Sequence, residues 1–122
     1  MGAVLVELRR IVETANGTVL VGNNHLSMDI RYAASADLMS DVLAFAKPRS
    51  LLITGLANAQ VIRTAEMADI AAVLIVRGKR PEQAAIALAE EKDIPLIVSP
   101  YTMFELCGRL YQAGMVGCDA DS

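Results

Sequence analysis

The 122-residue sequence has no tryptophan, a single histidine and two cysteines, and aromatic residues make up only 4% of it. One His and two Cys with no C-x-x-C pair are too few for a Cys/His zinc site. Cys107 and Cys118 are expected as reduced thiols of a cytoplasmic protein. No apolar run approaches the roughly 18–20 residues of a membrane-spanning helix. The opening MGAVLVELRR also lacks the basic segment that precedes the apolar part of an export signal. A soluble chain with no membrane partner is therefore expected. Positive charge is scarce as well: eleven Lys and Arg face fourteen Asp and Glu, for a net charge of −3. Scattered as they are, these cations cannot neutralise a track of phosphates, so nucleic acid is not an expected partner. The frames GxxxxGK[ST], GxGxxG and GxSxG are all missing, which removes the usual nucleotide-wrapping loops and the strained serine elbow. No cofactor and no metal are expected.

What the chain does have is aliphatic bulk. It is 54% hydrophobic, with a mean hydropathy of +0.41, enough to bury a core without disulfides or metal. The length suits a single domain over residues 1–122. VLVELRRIVETANG places Val4, Leu5, Leu8, Ile11 and Val12 at helical spacing and ends in Asn16-Gly17. TVLVG and LSMDIRYAA read as extended segments around a polar NNH turn, the second with Met28, Ile30 and Tyr32 alternating against Asp29 and Arg31. Residues 1–34 thus form an N-terminal helix and two extended segments.

From residue 35 the rhythm becomes helix–strand alternation. SADLMSDVLAFAK reads as a helix with Ser35 as its N-cap and Leu38, Met39, Val42, Leu43 and Phe45 on a broad apolar face, stopped by Pro48. SLLIT, IAAVLIV and IPLIVS are continuous apolar runs, the pattern of strands covered on both faces. Each is followed by a helical segment: NAQVIRTAEMAD, PEQAAIALAEEKD with Pro81 and Glu82 in its first turn, and YTMFELCGRLYQAG. Residues 35–115 are a helix plus three βα units, and 116–122 a polar tail. The fold class is α/β: a small parallel or mixed sheet with helices on both faces, in three layers.

In such a sheet the loops after the strands share one rim, where ligands collect. Three loops meet there: Thr54-Gly55-Leu56-Ala57-Asn58, Arg77-Gly78-Lys79-Arg80 and Ser99-Pro100-Tyr101-Thr102. Each leads into a helix N-terminus, whose free N–H groups favour an anion. Thr54, Gly55, Asn58, Arg77, Gly78, Lys79, Arg80, Ser99, Tyr101 and Thr102 are the candidate binding residues for a phosphate- or carboxylate-bearing ligand. The simpler reading is turn chemistry: glycine for a tight turn, hydroxyls and Asn58 as caps, and basic residues because the loop is wet.

Groups for catalysis are sparse, and no catalytic residue is assigned. Asp37 and Asp41 stand four apart, next to Ser40; a wet helix face explains them better than a metal site. Asp29 reads as solvated and His25 as a surface residue. Cys107 reads as a small core residue beside Met103, Phe104 and Leu110.

Taken together, DLMSDVLAFAKPRSLLIT and IAAVLIVRGKRPEQAAIALAEEKDIPLIVSPYTMFELCGRLYQAGM resemble the DRTGG domain. The likeness is to its stand-alone form associated with iron-only hydrogenase genes, and it covers roughly residues 29 to 115. IVRGKRP and IPLIVSPYT also resemble the N-terminal domain of HPr kinase/phosphorylase, which is not the kinase domain. Leu56-Ala57-Asn58 stands where the family name would put Asp-Arg, and Val76-Arg77-Gly78 where it would put Thr-Gly-Gly. The resemblance implies a non-catalytic regulatory or interaction domain acting through homodimerisation and contact with a protein partner, linked to hydrogenase or redox metabolism. Two alternatives accompany it: a sensor of a nucleotide or phosphometabolite at the rim, and a small phosphotransferase or phosphatase.

Overall fold

The structure is a computed structural model describing residues 4–120. A six-stranded sheet forms its centre. Its strands are β2 (Thr18–Val21), β4 (Tyr32–Ser35), β5 (Leu51–Thr54), β6 (Ala72–Ile75), β7 (Leu96–Val98) and β8 (Val116–Gly117), in the spatial order β2-β7-β6-β5-β4-β8. All neighbours pair parallel except β2, which runs antiparallel to β7. A small two-stranded ladder, β1 (Val6–Glu7) with β3 (Asp29–Ile30), lies outside it.

Every residue of β5 and β6 is buried, because each strand face has its own cover. Leu51, Ile53, Leu74 and Ile97 pack with α1 (Leu8–Thr14) and α5 (Met103–Gln112) through Leu8, Ile11, Leu106 and Leu110. Leu52, Val73, Ile75 and Leu96 face the other way. They meet α2 (Met39–Phe45), α3 (Ala59–Met67) and α4 (Gln83–Lys92) through Val42, Val61, Ile62, Ala85 and Ala89. Two cores thus sandwich one sheet, and each fully buried Leu or Ile contributes roughly 1.5–3 kcal/mol. This is the three-layer α/β arrangement expected. No helix among the described residues is long and apolar enough to cross a membrane.

The differences from the sequence expectation are local. The first helix starts at Leu8, because Val6–Glu7 is drawn into a ladder with Asp29–Ile30; Val4 and Leu5 are exposed. LSMDIRYAA divides into β3 and β4, and β4 joins the sheet as a further parallel strand beside β5. Ser35 ends that strand and caps nothing, and α2 begins only at Met39, with Leu38 at its N-cap. Asp37 therefore lies ahead of the helix and shares no helical face with Asp41. Of the supposed apolar face of α2, only Val42 is buried; Leu38, Leu43 and Phe45 are exposed. Glu82 is the N-cap of α4, and Pro81 precedes it. Phe104 points outward at 89% exposure, whereas Cys107 packs against the core as expected. The polar tail is structured at its start: after α5 the chain returns to the far edge, where Val116 and Gly117 pair with Tyr32 and Ala33. Residues 121 and 122 of that tail lie outside the described residues.

Candidate functional site

Parallel pairing of β5, β6 and β7 puts their C-terminal ends on one rim. The helix after β6 covers one face of the sheet, and the helix after β7 covers the other. The loops leaving these neighbouring strands therefore diverge, which opens a crevice of the kind where α/β sheets bind ligands. Backbone bonds close its floor. The Arg77 N–H donates to the Tyr101 carbonyl and the Gly78 N–H to the Ser99 carbonyl, both at 2.7 Å. Beside this seam lies a cleft of about 510 Å³, lined by Leu20, Ile86 and Val98 together with Lys79 and Arg80.

Making the seam demands an unusual backbone. Arg77 and Gly78 both take left-handed conformations, with φ of 65° and 61°. Glycine tolerates this freely, but a residue with a Cβ is strained there by about 1–2 kcal/mol. The Arg77 side chain is therefore kept at an energetic disadvantage.

Across the crevice stands a carboxylate expected on a wet helix face. Asp37, in the link between β4 and α2, accepts the Gly55 N–H at 2.8 Å and the Thr54 hydroxyl at 2.9 Å, both on Oδ1. Lys79 reaches over the same glycine and donates to its carbonyl at 2.8 Å. A methyl group at Gly55 would sit 3.3 Å from the Arg77 guanidinium and 3.4 Å from Asp37 Oδ2, so the close approach of these groups favours glycine. The Gly55 N–H bond is the main reason that the Asp37 carboxyl is held below the ordinary carboxylate range. Desolvation opposes it, while the Thr54 hydroxyl and the Arg77 and Lys79 charges add to it. Such a carboxylate is a weak base, so the Thr54–Asp37 pair is fitted to hold charge rather than to activate a nucleophile.

The structure thus gathers Thr54, Gly55, Arg77 and Lys79 around Asp37, with Arg80 exposed next to them. Other expected site residues are committed elsewhere. Asn58 caps α3 by accepting the Val61 N–H, and Thr102 caps α5 through Glu105. Ser99 is fully buried and donates to the Ala15 carbonyl. The ring of Tyr101 lies under the Arg109 guanidinium at 4.3 Å. Asp37 could have been found by placing the extended YAA segment parallel to SLLIT, since its following loop then belongs to the same rim. At the opposite ends of the strands a smaller cavity of about 250 Å³ contains His25, Arg49 and Lys92. Each of these has a carboxylate partner, Asp93, Asp69 and Glu66 respectively.

The depressed Asp37 carboxyl makes a signed prediction. Its contribution to stability is complete above the ordinary aspartate value of about 4 and disappears as pH falls through the lower folded value. Urea midpoints of the wild type and Asp37→Asn should differ at neutral pH and converge as pH falls below the folded value. A gap that stays unchanged throughout acid titration would contradict the assignment.

Comparison with known proteins agrees with this architecture. The chain aligns in three dimensions with the crystal structure of the CBS and DRTGG domains of the regulatory region of Clostridium perfringens pyrophosphatase, complexed with its activator diadenosine tetraphosphate. The TM-score is 0.73 at 15% identity, over 95% of this chain and 53% of that one. At that identity the likeness carries the fold, and this chain corresponds to about half of its neighbour. No curated protein matches it in sequence. The DRTGG domain family model matches residues 10–113, and with most of its length covered the chain belongs to the DRTGG domain family.

Proposed function

We propose that this chain is a regulatory domain that recognises a small anionic molecule at the rim formed by Gly55, Arg77, Lys79 and Arg80. One observation carries this reading: of the five described non-glycine residues kept in a left-handed conformation, Arg77 alone stands at the sheet's crevice, with its guanidinium beside Gly55 and Asp37. Strain at a site of this kind favours a working role for the side chain. Two further points support it. Arg77, Lys79 and Arg80 outnumber Asp37, the carboxylate bound among them, so the rim keeps an attraction for anions. The pyrophosphatase regulatory region, about half of which shares the fold, is complexed with a nucleotide activator. A phosphate or carboxylate would meet the cations, and the apolar walls of the adjoining cleft would hold the rest of the molecule. The phosphotransferase or phosphatase alternative has less support, since the rim hydroxyl that meets a carboxylate meets a weakly basic one.

The strain supplies a test. Arg77→Gly should leave stability unchanged or raise it by up to about 1 kcal/mol, while weakening anion binding. Calorimetric titration with inorganic phosphate, ATP and diadenosine tetraphosphate checks both chains. No uptake by the wild type at millimolar ligand, or equal affinity in Arg77→Gly, would refute the reading.

A second feature favours self-association as the output. Leu38, Leu43 and Phe45 are exposed apolar side chains on the α2 segment, with Phe45 74% exposed. Exposed apolar groups of this size favour a contact site, and a two-fold homodimer is the commonest arrangement of one; a protein partner would use the same segment. The resemblance to stand-alone domains associated with hydrogenase genes supports hydrogenase or redox metabolism as the process regulated. Light scattering at micromolar concentration should give twice the 13.0 kDa chain mass, and Phe45→Asp should return it to the monomer. A wild-type particle of one chain mass would end the homodimer proposal.

A further inference from the structure

We infer that Asp37 is an internal stand-in for the ligand: its carboxylate fills the cradle that the ligand's oxyanion must enter, so that binding expels Asp37 and loosens α2. The inference rests on the rim-binding reading above and adds how the rim is regulated.

The cradle has the composition of an oxyanion site. It offers one backbone N–H from Gly55, one hydroxyl from Thr54, and the Arg77 and Lys79 charges close by. A carboxylate of the chain already satisfies it, bonded through a single oxygen that accepts two donors. The occupant is poorly protected: Asp37 is exposed, and it stands in a short link rather than in a strand or helix. A small molecule bearing a phosphate or carboxylate could therefore take over the two bonds it makes.

Expulsion would be felt directly in α2. That helix has seven residues, and Leu38 gives it no side-chain cap. Val42 is its one fully buried side chain, with Met39 and Ala46 packed only in part. The Asp37 bonds lie two residues ahead of its first turn and tie its start to the end of β5. A helix this short is marginal without such anchors. Release of Asp37 would free the segment that carries Leu38, Leu43 and Phe45, coupling rim occupancy to the association proposed there. The contact is thus autoinhibitory: the closed rim and the docked helix are one state, the filled rim and the loosened helix the other.

The test compares the wild type with Asp37→Ala, which empties the cradle, using inorganic phosphate and ATP as probes, by calorimetry and by amide hydrogen exchange over residues 38–46. An occupied cradle lowers apparent affinity by the fraction of time that it is open, so Asp37→Ala should bind the probes about tenfold more tightly. In the wild type, saturating probe should speed exchange in α2; in Asp37→Ala exchange there should be fast beforehand and respond little. Should Asp37→Ala fail to fold, the wild-type exchange measurement decides alone. Binding by the wild type with no gain in the variant, or with α2 protection unchanged, would overturn the inference and leave the rim reading intact. No binding by either chain would overturn both.

Discussion

Parallel hydrogen bonding among β4, β5, β6 and β7 is the constraint on which everything else depends. The registers Leu51 with Ala72 and Leu74 with Ile97 fix which side chains enter which core. A slip of one residue would turn each apolar set to the wrong face. The same registers bring Thr54, Ile75 and Val98 level, so that the segments after them can bond to one another. The rim is a consequence of pairing in the sheet, and its geometry is as rigid as the strands beneath it.

On that foundation the rim balances opposing demands. The seam between the Arg77–Gly78 turn and the Ser99–Tyr101 turn requires a left-handed backbone, which glycine supplies at Gly78 and an arginine supplies at an energetic disadvantage at Arg77. The charge gained there is partly neutralised by Asp37, which also ties α2 to the sheet. One carboxylate therefore serves two neighbours, the cations in front of it and the helix behind it. A ligand competing for the cations would act on the helix without any path through the core.

Much of this was legible in the sequence, and the failures have physical reasons. SLLIT, IAAVLIV and IPLIVS read as buried strands because both their faces are covered, so no helical period could be confused with them. YAA reads as extended within LSMDIRYAA, but alanines carry little signal of a doubly covered strand; parallel pairing with Leu51–Ile53 brings it into the main sheet. That weak signal hid Asp37, since a residue assigned to a helix could not be placed on the rim. Leu38, Leu43, Phe45 and Phe104 show the limit of reading apolar spacing as burial. The pattern names residues able to be buried, and the structure leaves these four exposed. The loop residues divided similarly: Asn58 and Thr102 turned out as caps, while Arg77 and Lys79 converge on Asp37 from the same short stretch.

The most direct measurement is the amide spectrum of isotope-labelled wild-type protein during titration with inorganic phosphate. Binding at the rim predicts that the resonances of Gly55, Arg77 and Gly78 move together and saturate at one concentration, with those of residues 37–39 following them. Shifts gathered instead around His25, Arg49 and Lys92 at the other end of the strands, or no shifts at all, would contradict the account.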